Sequence, residues 1–356
     1  LSLLALAGCA TSSQNATKTQ TPQDNGTFET YGSTTNWPQI IYGDGGQSGF
    51  SATNSSLRFN TFTGQATDVN FRNGDPTKWV IATGPIAASP EGSYFYPPVT
   101  ADPNPANAGT IYQGSQSVWR TQDWGGNQAY LEANCPEFTT SASNPACGDF
   151  VRIGPAGATD LTAASYGDRA GAFVAAIERA PGDTSTLWVA TGTGRVFVSK
   201  NADAAPGSVT WTRIDTLASN DPGRFVSSIY VDPSNPNHAW ISYSGYNFNT
   251  PSQPGHVFEV TYNPSGSSAT WTSLDGTGAG ALQDLPVTDL VRDDVTGDLY
   301  ASSDFGVMAL DSGSTTWKAA GAGLPNVEVA GLTIVPGARV LYAATHGRSA
   351  WKLTLS

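Results

Sequence analysis

The segment Ala176–Ser199, AIERAPGDTSTLWVATGTGRVFVS, reads as apolar strand, turn, aromatic strand, small-residue turn, apolar strand. Four other segments follow the same grammar: Val99–Arg120, Ile229–Asn247, Leu290–Leu310 and Leu332–Leu353. Their first turns centre on Pro103, Pro181, Pro233, Asp294 and Pro336, and an aromatic follows at Tyr112, Trp188, Trp240, Tyr300 and Tyr342. Short apolar runs punctuated by Gly, Pro and Asp at a steady spacing are an internal repeat, and a repeat decides the architecture before any single strand does.

Three of the units close on a Thr-Trp pair, at Thr210-Trp211, Thr270-Trp271 and Thr316-Trp317, which adds a fourth strand. Each unit then becomes a four-stranded antiparallel sheet of roughly 40–60 residues, the size of a propeller blade. One such sheet cannot bury both faces, so neighbours must stack around an axis, with the repeat aromatics between them. The N-terminal part divides in the same way, into TPQDNGTFETY with NWPQII, and then SGFSATNSSLRFNTFTGQATDVNFRNGDPTKWVIAT. The prediction is an all-β chain, a β-propeller of four-stranded antiparallel blades, seven in number, with six and eight as the neighbouring counts. Residues 21–356 form one propeller domain in this reading. Long helices are not expected, because no window keeps a 3.6-residue apolar period for three turns without meeting Gly or Pro.

A net charge of −12 with few lysines and no basic cluster argues against a nucleic-acid partner. No apolar stretch is long enough to span a bilayer as a helix. Of the three cysteines, Cys135 and Cys147 enclose a short polar loop, NCPEFTTSASNPAC, for which a disulfide is the favoured reading and a zinc site the weaker one. A disulfide implies an oxidising, exported location: extracellular, cell-surface or periplasmic. Cys9 lies in LSLLALAGCATSS, similar to a bacterial lipobox with a polar tether behind it, and residues 1–20 are read either as such a lipid-anchored leader or as the first strand of the first blade.

At this point the chain resembles the Asp-box, or BNR-repeat, propellers, which include sialidases, xyloglucan-active endoglucanases and sortilin-type receptors. The family's box, Ser/Thr-x-Asp-x-Gly-x-x-x-x-Trp, lies in the turn between third and fourth strands. Degraded copies occur at Thr121-Asp123-Gly125, Ser199-Asn201-Trp211 and Asp311-Gly313-Trp317. The resemblance implies a glycosyl-hydrolase-like or sialidase-like propeller acting on or binding carbohydrate. It speaks for fold more securely than for chemistry.

In a propeller, the links between blades and the turns between second and third strands emerge at one end and line the central mouth. That end would gather Asp24, Asp44, Asp168, Arg169, Arg224, Asp304, His346 and Arg348. Each also has an ordinary reading, since Asp and Asn before Gly form turns and an Arg can pair with a neighbouring Asp. Glycoside hydrolysis needs two carboxyl groups flanking the bond, about 6.5–9.5 Å apart for inversion or about 5–5.5 Å for retention. In xyloglucan-active relatives each acid lies in a Thr-Asp-x-Gly-Gly hairpin, and Gln23-Asp24-Asn25-Gly26 and Ser303-Asp304-Phe305-Gly306 resemble it. Asp24 and Asp304 are therefore the catalytic candidates. The residues after these hairpins depart from the family's Ala-Tyr-Arg, so its sugar contacts are not carried over. Sialidase chemistry is disfavoured, because FVRIGP, Phe150–Pro155, only approaches the Phe-Arg-Ile-Pro motif and falls mid-chain.

Three readings of function stay open: a polysaccharide hydrolase using paired Asp, a non-catalytic glycan- or protein-binding propeller gripping with Trp37, Tyr42 and Tyr166, and a surface component for assembly. Neither a metal spacing nor a nucleophile elbow is present, so no cofactor is expected. DDVTGD, Asp293–Asp298, has oxygen ligands for structural calcium but aligns with the first turn of the other repeats.

Overall fold

The computed structural model describes residues 6–11, 18–22, 26–30, 35–155 and 160–356. These residues form six four-stranded antiparallel sheets and one three-stranded sheet, each taken from a continuous piece of chain. The inner strands are Leu6–Thr11, Ser48–Phe50, Val99–Ala101, Val174–Arg179, Val226–Val231, Val287–Arg292 and Val329–Val335. Each lies against the next, and Val329–Val335 returns to Leu6–Thr11, so the sheets close into a ring. This is an all-β propeller with four-stranded blades. The expected four strands are present in six sheets, while the last has three: Val329–Val335, Val340–Thr345 and Ala350–Thr354.

The physical origin of the repeat is visible in its turns. Between first and second strands an aspartate accepts from the backbone two residues on: Asn104 N to Asp102 (2.9 Å), Ser185 N to Asp183 (2.9 Å), Ser234 N to Asp232 (2.8 Å) and Val295 N to Asp293 (3.1 Å). Such Asx turns reverse the chain without any residue beyond the carboxylate's own loop. The second strand that follows is apolar because both its faces meet neighbouring sheets, so Tyr112, Trp188, Trp240, Tyr300 and Tyr342 are all buried. Core clusters accordingly straddle pairs of sheets rather than filling one centre; one joins Trp188, Val196 and Ile214 to Ile241, Phe258 and Trp271.

Buried ion pairs stitch consecutive sheets. Glu29 meets Arg58 between the first and second, and Arg179 Nε lies 2.8 Å from Asp102 Oδ2 between third and fourth. Asp293 in DDVTGD is held by Arg339 of the last sheet and by Val295 N and Thr296 Oγ1.

The Cys135–Cys147 disulfide is formed, and both residues are fully buried. The polar loop that the two cysteines enclose is an arm laid against the second sheet. A short helix, Gln128–Asn134, leads into it, capped by the Asn127 side chain on Tyr130 N (3.0 Å). Ile81 N donates to Cys135 O and Gly84 N to Cys147 O, so the arm seals the outer strand of the second sheet. Among the described residues no helix is long and apolar enough to cross a membrane.

Candidate functional site at the propeller mouth

Antiparallel order places the links between sheets and the turns between second and third strands at one end. Of the sequence candidates, Asp24 lies outside the described residues. Asp304 sits at the turn between Leu299–Ser303 and Gly306–Leu310. The following amide, Phe305 N, donates to Ser303 Oγ (3.3 Å) rather than to the aspartate. The Asp304 carboxylate is half-buried and makes no hydrogen bond or ion pair among the described residues, so its oxygens are not consumed by the turn. Beside it Phe305 is 61% exposed. Two clefts flank that ring: one of about 270 Å³, lined by Leu282, Gln283, Ser302 and Asn326, and one of about 150 Å³ running toward Trp351.

The other candidates divide by what their side chains already hold. Arg169 donates to Asp221 Oδ2 (2.7 Å) and to Asp215, and its backbone takes a left-handed φ of 55°. Asp168 bridges to Arg213 (2.7 Å), whose guanidinium holds its carboxyl below the usual range. Arg224 is buried and spends its donors on Ser244 O, Thr250 Oγ1 and Gly255 O. Tyr166 packs edge-on against Phe197, 5.2 Å between centroids. These residues set loop shape. Asp44 is half-buried and Trp37 likewise. Tyr42 stacks on Phe138 of the disulfide arm at 5.3 Å and donates to Glu137 (3.1 Å). His346 pairs with Glu328 (3.1 Å), and exposed Arg348 offers its carbonyl to the Trp351 indole (2.9 Å).

Sequence reasoning missed the strap over the mouth. The link between second and third sheets carries Tyr94 across to the fourth and fifth, where its ring meets Phe173 (5.2 Å) and Phe225 (5.4 Å) edge-on. The strap is anchored by Glu91, which accepts from Ser115 Oγ, Ser117 N, Ser117 Oγ, Trp119 Nε1 and Arg152 Nη1. Burial pushes this carboxyl up, yet the donors from Ser115, Ser117 and Trp119 hold it below the usual range. Five donors converging on one carboxylate were not legible because they come from two stretches of chain, Ser115–Trp119 and Arg152, both far in sequence from Glu91. Exposed aromatics also missed by sequence reasoning line this end: Phe95, Tyr246 and Phe248.

Behind the mouth runs a central channel of about 270 Å³, lined by the inner strands. Its walls carry Ser48, Thr100, Ser227, Ser228 and Thr288, with two acids, Glu178 and Asp289. Asp289 accepts from Leu332 N (2.7 Å) and Leu290 N (2.8 Å), whereas Glu178 has no such donors. Burial, reinforced by Asp289, pushes Glu178 up to about 8. The acid is therefore largely protonated at neutral pH. Among the described residues no cluster of three or more His, Cys, Asp or Glu is placed to hold a metal ion.

The fold defines the class: an all-β propeller whose inter-sheet links and second turns gather at one end. No family model and no curated protein matches the sequence. Among solved structures the chain is similar to the GH74 xyloglucanase from Xanthomonas campestris, with a TM-score of 0.62 and 13% identity over 99% of this chain. The chain spans about half of that enzyme, 52% of its length. At such identity the likeness is one of fold.

Proposed function

We propose that the protein is an exported propeller that engages polysaccharide at its mouth and hydrolyses it with Asp304 and Asp24 as the carboxyl pair. The observation that carries the reading is the unpaired Asp304 carboxylate beside the exposed Phe305 ring, between two clefts. An aromatic face next to a free carboxylate suits a sugar: the ring packs on the apolar C–H face of the pyranose while the acid reaches the glycosidic oxygen. Phe248, 87% exposed, lies on the corresponding turn of the preceding sheet, and two aromatic faces on neighbouring turns suit an extended polymer better than a monosaccharide. One acid protonates the leaving oxygen and the other activates water or attacks the anomeric carbon, the choice being set by their separation. In this reading the three-stranded sheet is the seventh blade, and Arg169, Arg224 and Asp168 hold the loops on which sugar contacts are mounted.

Support for export comes from the disulfide and from the likeness in fold to a xyloglucanase. A second reading, binding without hydrolysis, is favoured by the aromatic strap of Tyr94, which fills part of the mouth. The two separate in one experiment. Release of reducing ends from β-glucans, xyloglucan among them, is compared for the native chain, Asp24→Asn and Asp304→Asn, alongside retention on the insoluble polymers. Hydrolysis lost in both variants with retention kept supports the carboxyl pair. Retention without hydrolysis in all three leaves the binding module, and neither hydrolysis nor retention removes the carbohydrate reading.

A further inference from the structure

We propose that the seam between the third and fourth sheets binds one halide ion, held by the Arg120 and Arg179 guanidinium groups and the Tyr112 hydroxyl. The reasoning starts from a residue that breaks the repeat. Opposite the second-strand aromatic, the third strand carries Val69 against Phe59, Val198 against Trp188 and Ala309 against Tyr300, all buried and apolar. In the third sheet Tyr112 is opposed by Arg120, which is just as deeply buried, at 1% exposed. Where this position is charged elsewhere, Glu259 meets His238 (2.9 Å) and Lys352 is exposed.

Arg120 has no such relief. Its Nη1 donates to the Ala202 carbonyl across the seam, but Nε has no acceptor, and the group makes no ion pair among the described residues. The two carboxylates buried or half-buried here are already engaged. Asp102 accepts from Arg179 Nε (2.8 Å), and Asp183 from Arg179 Nη1 (3.2 Å), with Lys200 3.8 Å away. Asp203 attracts Arg120 from an exposed turn without touching it. A buried charge left in this way is strongly destabilising unless a counter-ion joins it.

Two more buried donors point to the same place. Arg179 Nη2 and the Tyr112 hydroxyl have no hydrogen-bond partner, and both residues are fully buried. Tyr112 lies beside both guanidinium groups, which act on its oxygen electrostatically. Burial pushes this phenol up to about 12, so at neutral pH it is an O–H donor and not a phenolate that balances Arg120. Donors from three strands therefore meet without an anion among them. A water molecule would leave the charge uncompensated. A monatomic anion accepts from all three groups and asks the least room of a seam packed with Val118, Leu187 and Val189.

The test follows thermal unfolding of the whole chain in sodium gluconate and in sodium chloride or bromide at matched ionic strength. The native chain is expected to melt higher in the halide, by an amount that grows with its concentration, as ligand linkage requires. Arg120→Met, which restores an apolar residue at this position, should melt at the same temperature in both salts. Tyr112→Phe should need about tenfold more halide for the same rise, the scale of one hydrogen bond to a charged group. Crystals grown in bromide should show an anomalous peak within hydrogen-bonding reach of Arg120 Nε, Arg179 Nη2 and the Tyr112 hydroxyl. Equal melting of the native chain in both salts, or a halide response that Arg120→Met retains, overturns the inference. So does water density at that position with no bromide peak. Should Arg120→Met fail to fold, the Tyr112→Phe shift and the bromide peak decide, and the absence of either overturns it.

Discussion

Arg169 Nη1 lies 2.7 Å from Asp221 Oδ2, and this contact joins the link that leads into the fourth sheet to the link that leads into the fifth. Asp221 is buried and also accepts from the Tyr243 hydroxyl (2.6 Å). Removing the guanidinium leaves a buried carboxylate with a single neutral donor. Arg169→Ala is expected to cost about 3 kcal/mol of stability, the low end for a broken buried pair because Tyr243 stays. Urea unfolding measures it. A loss below about 0.5 kcal/mol would mean that the pair is solvated and that Arg169 is free for a ligand.

Glu178 gives the fold a pH dependence of definite sign. Its folded pKa of about 8 lies above the ordinary glutamate value of about 4.3, so the folded state keeps a proton that the unfolded chain loses. Stability from this group falls as pH rises from about 5 to about 8 and is level above that. Each pKa unit is on the order of 1.4 kcal/mol before channel water softens it. Glu178→Gln should flatten that part of the stability curve; an unchanged slope assigns it to other groups.

The Cys135–Cys147 bridge closes a loop with a sequence separation of 12 residues. Chain entropy puts its contribution at about 3 kcal/mol. Because both sulfurs are buried, reductant alone should act slowly, whereas the Cys135→Ala, Cys147→Ala double variant should melt lower and be cut first by protease between residues 136 and 146. Cleavage elsewhere first would show that the arm is held by its helix and backbone bonds instead.

A methyl group on Gly192 would stand 1.6 Å from the Tyr94 hydroxyl. Gly192→Ala should therefore swing the strap ring off Phe173 and Phe225, costing about 1–2 kcal/mol as an overpacked contact. Hydrogen exchange across Gly92–Tyr96 should quicken while the inner strands are unchanged. If polysaccharide retention rises in this variant, the strap obstructs the site; if it falls, Tyr94 is part of it.

Phe305→Ala removes an exposed ring and should leave the melting temperature within a degree or two. Retention on the polymer bound by the native chain should drop about tenfold, the scale of one lost aromatic platform. Equal retention would move the sugar surface away from this turn, toward Phe248 and Tyr246.

The repeat was legible because its causes are local. Asx turns at Asp102, Asp232 and Asp293 lie within a few residues of the strands they connect, and the buried second-strand aromatics follow at a steady distance. Three of the fourth strands were legible for the same reason, through Trp211, Trp271 and Trp317, which lie in or next to them. The site was only partly legible. Residues at the tips of the turns share one end of the propeller by topology, as read from the sequence. What each side chain holds there is a matter of neighbours distant in sequence: Arg169 with Asp215 and Asp221, Arg224 with the carbonyls of 244 and 255. Asp304 differs from them because its turn closes on Ser303 instead.

The amino-acid sequence alone determined that short strands would fold into stacked four-stranded sheets, since strand pattern and turn chemistry act over a few residues at a time. Only the tertiary structure decided which charges at the mouth are spent, that Tyr94 crosses it, and that Glu178 faces Asp289 without donors of its own. Closing the ring brings together chain segments tens to hundreds of residues apart, and burial and ionic pairing between them depend on a distance that no local pattern encodes.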